Sequence, residues 1–186
     1  MKTDEIGKTK RILWVVASAF AVWTAVGAAT VGAACGGGAS RAERNRETMR
    51  LFERCINTDD LELGKKLISA AAAFKTPVSP EPLYGAEGYL SVVKMMRKSF
   101  PDVQWKLVDM VADERTVAVQ WTCSGTFTGA QPFAGLQPNG RAFSTTVMNF
   151  YKFDDDGLII DDIAGVGIAG ILSGIGPMAG WNIPTF

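Results

Sequence analysis

The chemistry open to this 186-residue chain is narrowed first by an absence, for it contains no histidine. That removes Ser-His-Asp and Cys-His nucleophiles, histidine-ligated zinc and any histidine switch near neutral pH. Acid–base work falls to Asp, Glu, Lys, Tyr, Cys or a bound water. Cys35, Cys55 and Cys123 form no C-x-x-C pair, which fits neither a metal knuckle nor a disulfide framework. Cys123 has the side chain of a nucleophile. With no histidine or evident cation beside it, its thiolate is scarce, and a small buried apolar residue is the competing reading. Trp121 and Tyr84 could stack on an aromatic ligand or serve as core, and Asn149 could donate a hydrogen bond inside a pocket. Asp154-Asp155-Asp156 looks like a calcium loop but lacks further ligands at the right spacing. It reads as a solvated turn, and no metal site is assigned. Nineteen basic residues balance nineteen acidic ones, which argues against a nucleic-acid binder.

These groups need elements to position them, and the apolar spacing supplies the elements. Met49, Phe52 and Ile56, then Leu61, Leu63, Leu67 and Ile68, mark two helices broken at Asn57-Thr58-Asp59-Asp60. Ser40 caps the first, with Glu43 three residues on, and Thr58 and Asp59 are cap residues for the second. Prolines at positions 77, 80 and 82 predict a loop. Gly85–Ser99 is a third helix, with Tyr89, Val92, Val93 and Met96 as its apolar stripe. Period-two alternation then predicts strands over 103–111, 116–128, 141–153 and 158–164, with Asp154–Gly157 as a hairpin turn. Helices first and consecutive hairpins after them mean an α+β fold: a meandering antiparallel sheet covered by helices on one face. The last 24 residues, from Ile163, carry no charge; glycines and prolines interrupt them, and a short apolar helix closing the mouth of the domain is expected there.

The beginning of the chain is different. Four basic and two acidic residues in the first eleven precede Ile12–Ala34, 23 residues without a charge. At about 1.5 Å per residue this run can cross a hydrocarbon core of roughly 30 Å. A positive flank before a long apolar run is the layout of an export signal or a signal anchor. Gly32-Ala33-Ala34-Cys35 before Gly36-Gly37-Gly38 resembles a bacterial lipoprotein processing site, which makes Cys35 a lipidation candidate. Gly32 departs from the aliphatic residue usual there. The expected localisation is therefore exported or membrane-anchored, as a lipoprotein, a signal anchor or a secreted protein.

Four segments in order resemble the SnoaL-like polyketide cyclase and ester cyclase family of the nuclear-transport-factor-2-like superfamily. YGAEGYLSVVKMMRKSFPD resembles the family's G-x-x-G helix before F-P-D. FPDVQWKLVDMVADERTVAVQWTCSGTFTG resembles its valine-rich hairpin and W-T-x-x-G-T-H-T-G. QPFAGLQPNGRAF resembles its G-x-x-P-T-G-K/R segment, and FYKFDDDGLIIDDIAG resembles its F-R-x-x-D-G-K-I-V-E-x-W-D ending. On that basis residues 1–34 are an export signal or anchor, 35–45 a flexible linker, 46–180 the SnoaL-like domain and 181–186 a tail. The resemblance implies a cone-shaped α+β barrel, its curved, mostly antiparallel sheet wrapped around three N-terminal helices. It also implies an apolar pocket open at one end and cofactor-independent acid–base chemistry in an aldol-type ring closure. The key group there is an Asp on the last strand, aided by pocket histidines.

The departures fall on those positions. Phe127 stands in place of the G-T-H-T-G histidine. With the D-G pairs aligned, Ala164 stands where the catalytic Asp is usual and Asp162 where a histidine is. Residues two apart on a strand share a face, so Asp162 keeps a carboxylate on the expected pocket side, with Ile160 and Ala164 beside it. Trp121, Cys123 and Phe127 share the facing side of the second strand, and Asp161 points away. Two functions follow. One is an enzyme of cyclase or isomerase type acting on a polyketide-like substrate, with Asp162 as a general base whose pKa burial has raised. The other, which the loss of the family's His and Asp positions favours, is a membrane-targeted domain that binds a small apolar or aromatic molecule in its barrel pocket without catalysis. A homodimer through the open sheet face is a third expectation.

Overall fold

Ser40 opens the first helix by accepting a hydrogen bond from the Glu43 N–H at 3.2 Å. The computed structural model describes residues 39–76, 79–165 and 167–176. The export or anchor segment, residues 35–38 of the linker with Cys35, and the tail lie outside them. No described helix is long and apolar enough to cross a membrane.

Helix α1 spans Arg41–Thr58 and buries Asn45, Met49, Phe52, Cys55 and Ile56, one stripe at helical spacing. It ends at Asp59, which takes a left-handed φ of 54°. Asp60, one residue beyond the expected caps Thr58 and Asp59, caps α2 (Leu61–Leu67) through the Leu63 N–H at 2.9 Å. The left-handed turn consumes Asp59, and only Asp60 has the extended backbone a cap needs.

Pro80 and Pro82 lie in a strand rather than in the expected loop. Ala73–Thr76 (β1) pairs antiparallel with Ser79–Tyr84 (β2). A two-stranded sheet has only edge strands, and an edge tolerates proline because its N–H side need not pair. Helix α3 follows over Gly85–Ser99, then β3 (Gln104–Ala112), β4 (Thr116–Thr126), β5 (Ala142–Phe153) and β6 (Ile159–Ala164). These four strands form an antiparallel meander in the order β3-β4-β5-β6. The sheet curves around the helices without closing into a barrel.

Two bulges shape it. One falls at Leu107–Asp109 in β3. The other sits where Phe153 faces Ile159 but Lys152 faces Asp161. A bulge inserts one residue, bends the strand and resets which side chains point inward. Polar side chains of α1 cover the β3 edge: Asn57 exchanges hydrogen bonds with the Trp105 backbone at 2.6 and 3.0 Å, and Glu53 accepts from the Leu107 N–H.

Val117, Val119, Trp121 and Cys123 alternate inward along β4 and are buried. The main core packs Val117, Val119 and Trp121 against Met49, Phe52, Leu90 and Val93 of the helices. A second cluster of Phe100, Phe127, Phe143, Ile171 and Ile175 fills the other end. Burial of each large side chain there contributes roughly 1.5–3 kcal/mol. Helix α4 (Gly167–Ile175) lies on β5 with its glycines against the strand. A Cβ on Gly174 would stand 2.6 Å from the Phe143 Cβ.

Candidate functional site

A cavity of about 260 Å³ opens between the concave face of the sheet, α3, β1 and α4. Its walls are mostly apolar: Ile56, Val92, Val93, Met96, Val147 and Ile171 are typical. The polar groups gather on one side, and the strand register puts them there. Trp121 lies opposite Val147, while Asn149 lies opposite Ala164 and Tyr151 opposite Asp162. Trp121, Asn149 and Asp162 therefore form one diagonal line across β4, β5 and β6, each group a diagonal neighbour of the next.

Asp162 is the centre of this line. Its Oδ1 accepts from Asn149 Nδ2 at 2.7 Å and its Oδ2 from the Tyr89 hydroxyl at 2.8 Å. Burial pushes its carboxyl up to about 6, although both hydrogen bonds oppose the rise by favouring the charged form. Asn149 is buried, and its Oδ1 has no hydrogen-bond partner among the described residues. Tyr89 comes from the first turns of α3, its ring held edge-on by Phe52 and Phe74 at centroid distances of 5.1 and 4.9 Å. Burial, then the Asp162 charge, holds its hydroxyl well above the usual tyrosine range. Tyr151 is shifted upward for the same two reasons. Lys75 and Thr76 of β1 also line the cavity. The cavity shares Lys75, Asp162, Ala164 and Ile168 with a second depression that Ile160 and Asp161 also line.

Of the residues singled out in the sequence, Asp162, Trp121, Cys123, Asn149 and Ala164 line this cavity. Three do not. Phe127 lies just past the end of β4, fully buried against Phe100 at 5.1 Å, and is core. Ile160 is 38% exposed, because the bulge at Ile159–Asp161 breaks simple alternation. Ile159 and Asp162 turn inward instead. Tyr84 is 62% exposed at the start of α3 and borders a separate depression beside Lys65. Cys123 is a buried thiol pushed up to about 12 by desolvation, which removes it as a nucleophile. The acidic run is a turn: Asp154 Oδ1 accepts from the N–H groups of Asp156 and Leu158, and Asp155 pairs with Arg41 and Arg115.

Sequence reading missed Tyr89 and Tyr151 as site residues. Tyr89 was placed in the apolar stripe of α3, where its hydroxyl is a signal in itself, since a buried tyrosine needs a polar partner. Tyr151 is two residues from Asn149 and shares its face.

A curved antiparallel sheet packed on three helices, with one apolar cavity at its concave face, defines the nuclear-transport-factor-2-like class. Within that class the chain belongs to the SnoaL-like polyketide cyclase family, whose model matches residues 46–166. Among solved structures it is similar to wild-type IdmH of Streptomyces antibioticus, a candidate polyketide cyclase. The two are 26% identical, with a TM-score of 0.59, over 69% of this chain and 96% of that one. It is also similar to a candidate SnoaL-like polyketide cyclase of Jannaschia sp. CCS1, 18% identical with a TM-score of 0.62, over 77% and 99% of the two chains. No curated protein matches it by sequence.

Proposed function

We propose that the domain binds a small apolar or aromatic carbonyl compound in this cavity and that Asp162 removes a proton from its carbon skeleton, as in a cofactor-independent cyclase or isomerase. The observation that carries the reading is a buried carboxylate, hydrogen-bonded at both oxygens and pushed up to about 6, in a mostly apolar cavity. Such a group is ionised at neutral pH yet a stronger base than a solvated carboxylate. A second reading, binding without catalysis, draws support from Ala164, which stands where the family's catalytic Asp is usual.

The test is proton abstraction from 5-nitrobenzisoxazole, whose five-membered ring opens to a coloured phenolate when a base takes the proton on that ring's carbon. The full-length chain should turn it over with an activity that falls below about pH 6, as Asp162 protonates. Asp162→Asn should abolish turnover while leaving saturable binding. Binding without turnover in the unsubstituted chain favours the second reading. Equal turnover by both proteins removes Asp162 as the base.

Two further parts of the proposal concern partners. The uncharged Ile12–Ala34 segment supports a tether that holds the domain at a membrane, with Cys35 as its lipidation point. Separation of the expressed protein into membrane and soluble fractions tests this. The outer sheet face carries one apolar row in register across all four strands: Val111, Ala118, Phe150 and Ile163. Val111, Phe150 and Ile163 are exposed. That row supports a homodimer, and Phe150→Glu should convert it to monomer in sedimentation velocity; an unsubstituted monomer would refute it.

A further inference from the structure

We propose that Tyr89 is a second catalytic residue, whose hydroxyl swings from Asp162 to the substrate oxygen that gains charge when Asp162 takes the proton. The proposal rests on the reading of Asp162 as the base.

Geometry is the first argument. The proton on a carbon next to a carbonyl and the carbonyl oxygen are close together, so the base and the donor for that oxygen must be neighbours. Tyr89 Oη lies 2.8 Å from Asp162 Oδ2, and both residues line the cavity. Tyr151 also lines the cavity but is 1% exposed, whereas Tyr89 is only part-buried and is the tyrosine whose hydroxyl bonds to Asp162. The Tyr89 ring is clamped edge-on between Phe52 and Phe74, which leaves rotation about its C–O bond as the free motion. Asn149 keeps hold of Asp162 Oδ1 at 2.7 Å, so the carboxyl stays in place when Tyr89 lets go.

Electrostatics is the second. Before the reaction the carboxylate is the strongest acceptor within reach of the hydroxyl. In the step itself the C–H bond breaks and its proton passes to Asp162 Oδ2. The C–H electron pair forms the new carbon–carbon π bond, and the carbonyl π pair moves onto oxygen. Asp162 is then neutral and the enolate oxygen carries the charge, so the strongest acceptor has moved. A hydrogen bond to a charged group is roughly twice as strong as one between neutral groups, and the hydroxyl follows the charge. The Tyr89 O–H bond stays intact, because burial holds the hydroxyl well above the usual tyrosine range and it acts as a donor only. The chain has no histidine to take this part.

With ring-substituted 2-indanones as probes, followed by exchange of their α-hydrogens with deuterated water, the developing charge falls on the carbonyl oxygen beside the proton that Asp162 removes. Tyr89→Phe in the full-length chain should lower plateau kcat by about a hundredfold, with a much smaller change in KM. The rate should also depend more steeply on electron-withdrawing ring substituents, because the enolate oxygen has lost its donor. A residue that only positions Asp162 would move the acidic limb of the pH profile to higher pH and leave the plateau and that dependence alone. 3-Fluorotyrosine placed at position 89 strengthens the donor and should make the dependence shallower, which keeps the test open if the phenylalanine variant folds poorly. A plateau within about threefold, with unchanged substituent dependence in both variants, overturns the role of Tyr89. Turnover that is absent, or independent of Asp162, overturns the parent reading as well, so the two failures are distinguishable.

Discussion

Asp162→Asn should make the protein more stable, and the gain should depend on pH. The native carboxyl titrates at about 6 against an ordinary 3.8, a difference of roughly two pH units. At 1.36 kcal/mol per unit this is about 3 kcal/mol. The sign follows from proton binding. Between these two pH values the folded chain holds the proton more tightly than the unfolded chain. Stability therefore falls as pH rises through that window, then levels off above about 6. Asparagine carries no charge to desolvate, so the variant should lack this loss.

The local hydrogen bonds permit the exchange. The new amide oxygen can accept from Tyr89, and its NH₂ needs an acceptor on the Asn149 side. Asn149 Oδ1 has no partner among the described residues, and turning that amide over presents it. The expected gain is about 2–3 kcal/mol near pH 8, shrinking toward zero near pH 4. Urea denaturation of both proteins across that range measures it. A stability difference that does not change with pH would refute the argument, because the carboxylate would then be as well solvated folded as unfolded. Gain of stability with loss of turnover is the trade expected of a base kept in an unfavourable environment for its reactivity.

Other outcomes follow from particular contacts. Gly174→Ala gains up to about 1 kcal/mol of helix propensity but drives a methyl into Phe143, whose backbone cannot yield. A net loss of about 1–3 kcal/mol is expected, with increased binding of a hydrophobic dye as α4 lifts off the cavity. Thermal melts and dye fluorescence measure both, and a more stable variant would show that α4 does not sit as described. Cys123, buried and pushed up to about 12, should resist thiol reagents until the protein unfolds. Mass spectrometry after native labelling checks this, and modification of Cys123 in the folded protein would refute it. Asp60→Ala removes the cap on α2 and should cost about 1 kcal/mol of unfolding free energy in urea denaturation; a loss below a few tenths of that would mean that water replaces the cap.

Much of the fold was legible in local pattern. The helical stripes of α1 and α3, the Ser40 cap and the strand alternation of β4 and β5 are short-range properties, and the structure keeps them within a residue or two. The β1–β2 hairpin was not legible, since its prolines suit a loop and an edge strand equally. The same division runs through the site. The motif order placed Asp162, Trp121, Cys123, Asn149 and Ala164 on strands, and all of them line the cavity. Ile160 depended on alternation continuing through β6, and one bulge turned it outward. Phe127 depended on inheriting a histidine's direction, but an aromatic hydrocarbon beside Phe100 lowers its free energy by packing into the core.

The sequence by itself carried the class of fold through periodicity and the exclusion of histidine chemistry through composition, both properties of single segments, and it carried the family through the resemblance of four motifs in order. The pairing of Tyr89 with Asp162 was decided only in three dimensions. These residues are 73 positions apart and come from a helix and an edge strand, and no local pattern links them. Their meeting depends on the curvature of the sheet, the register of β5 and β6 and the packing of α3 across both. The proton affinity of Asp162 is tertiary for the same reason, since desolvation is a property of everything that surrounds a carboxylate.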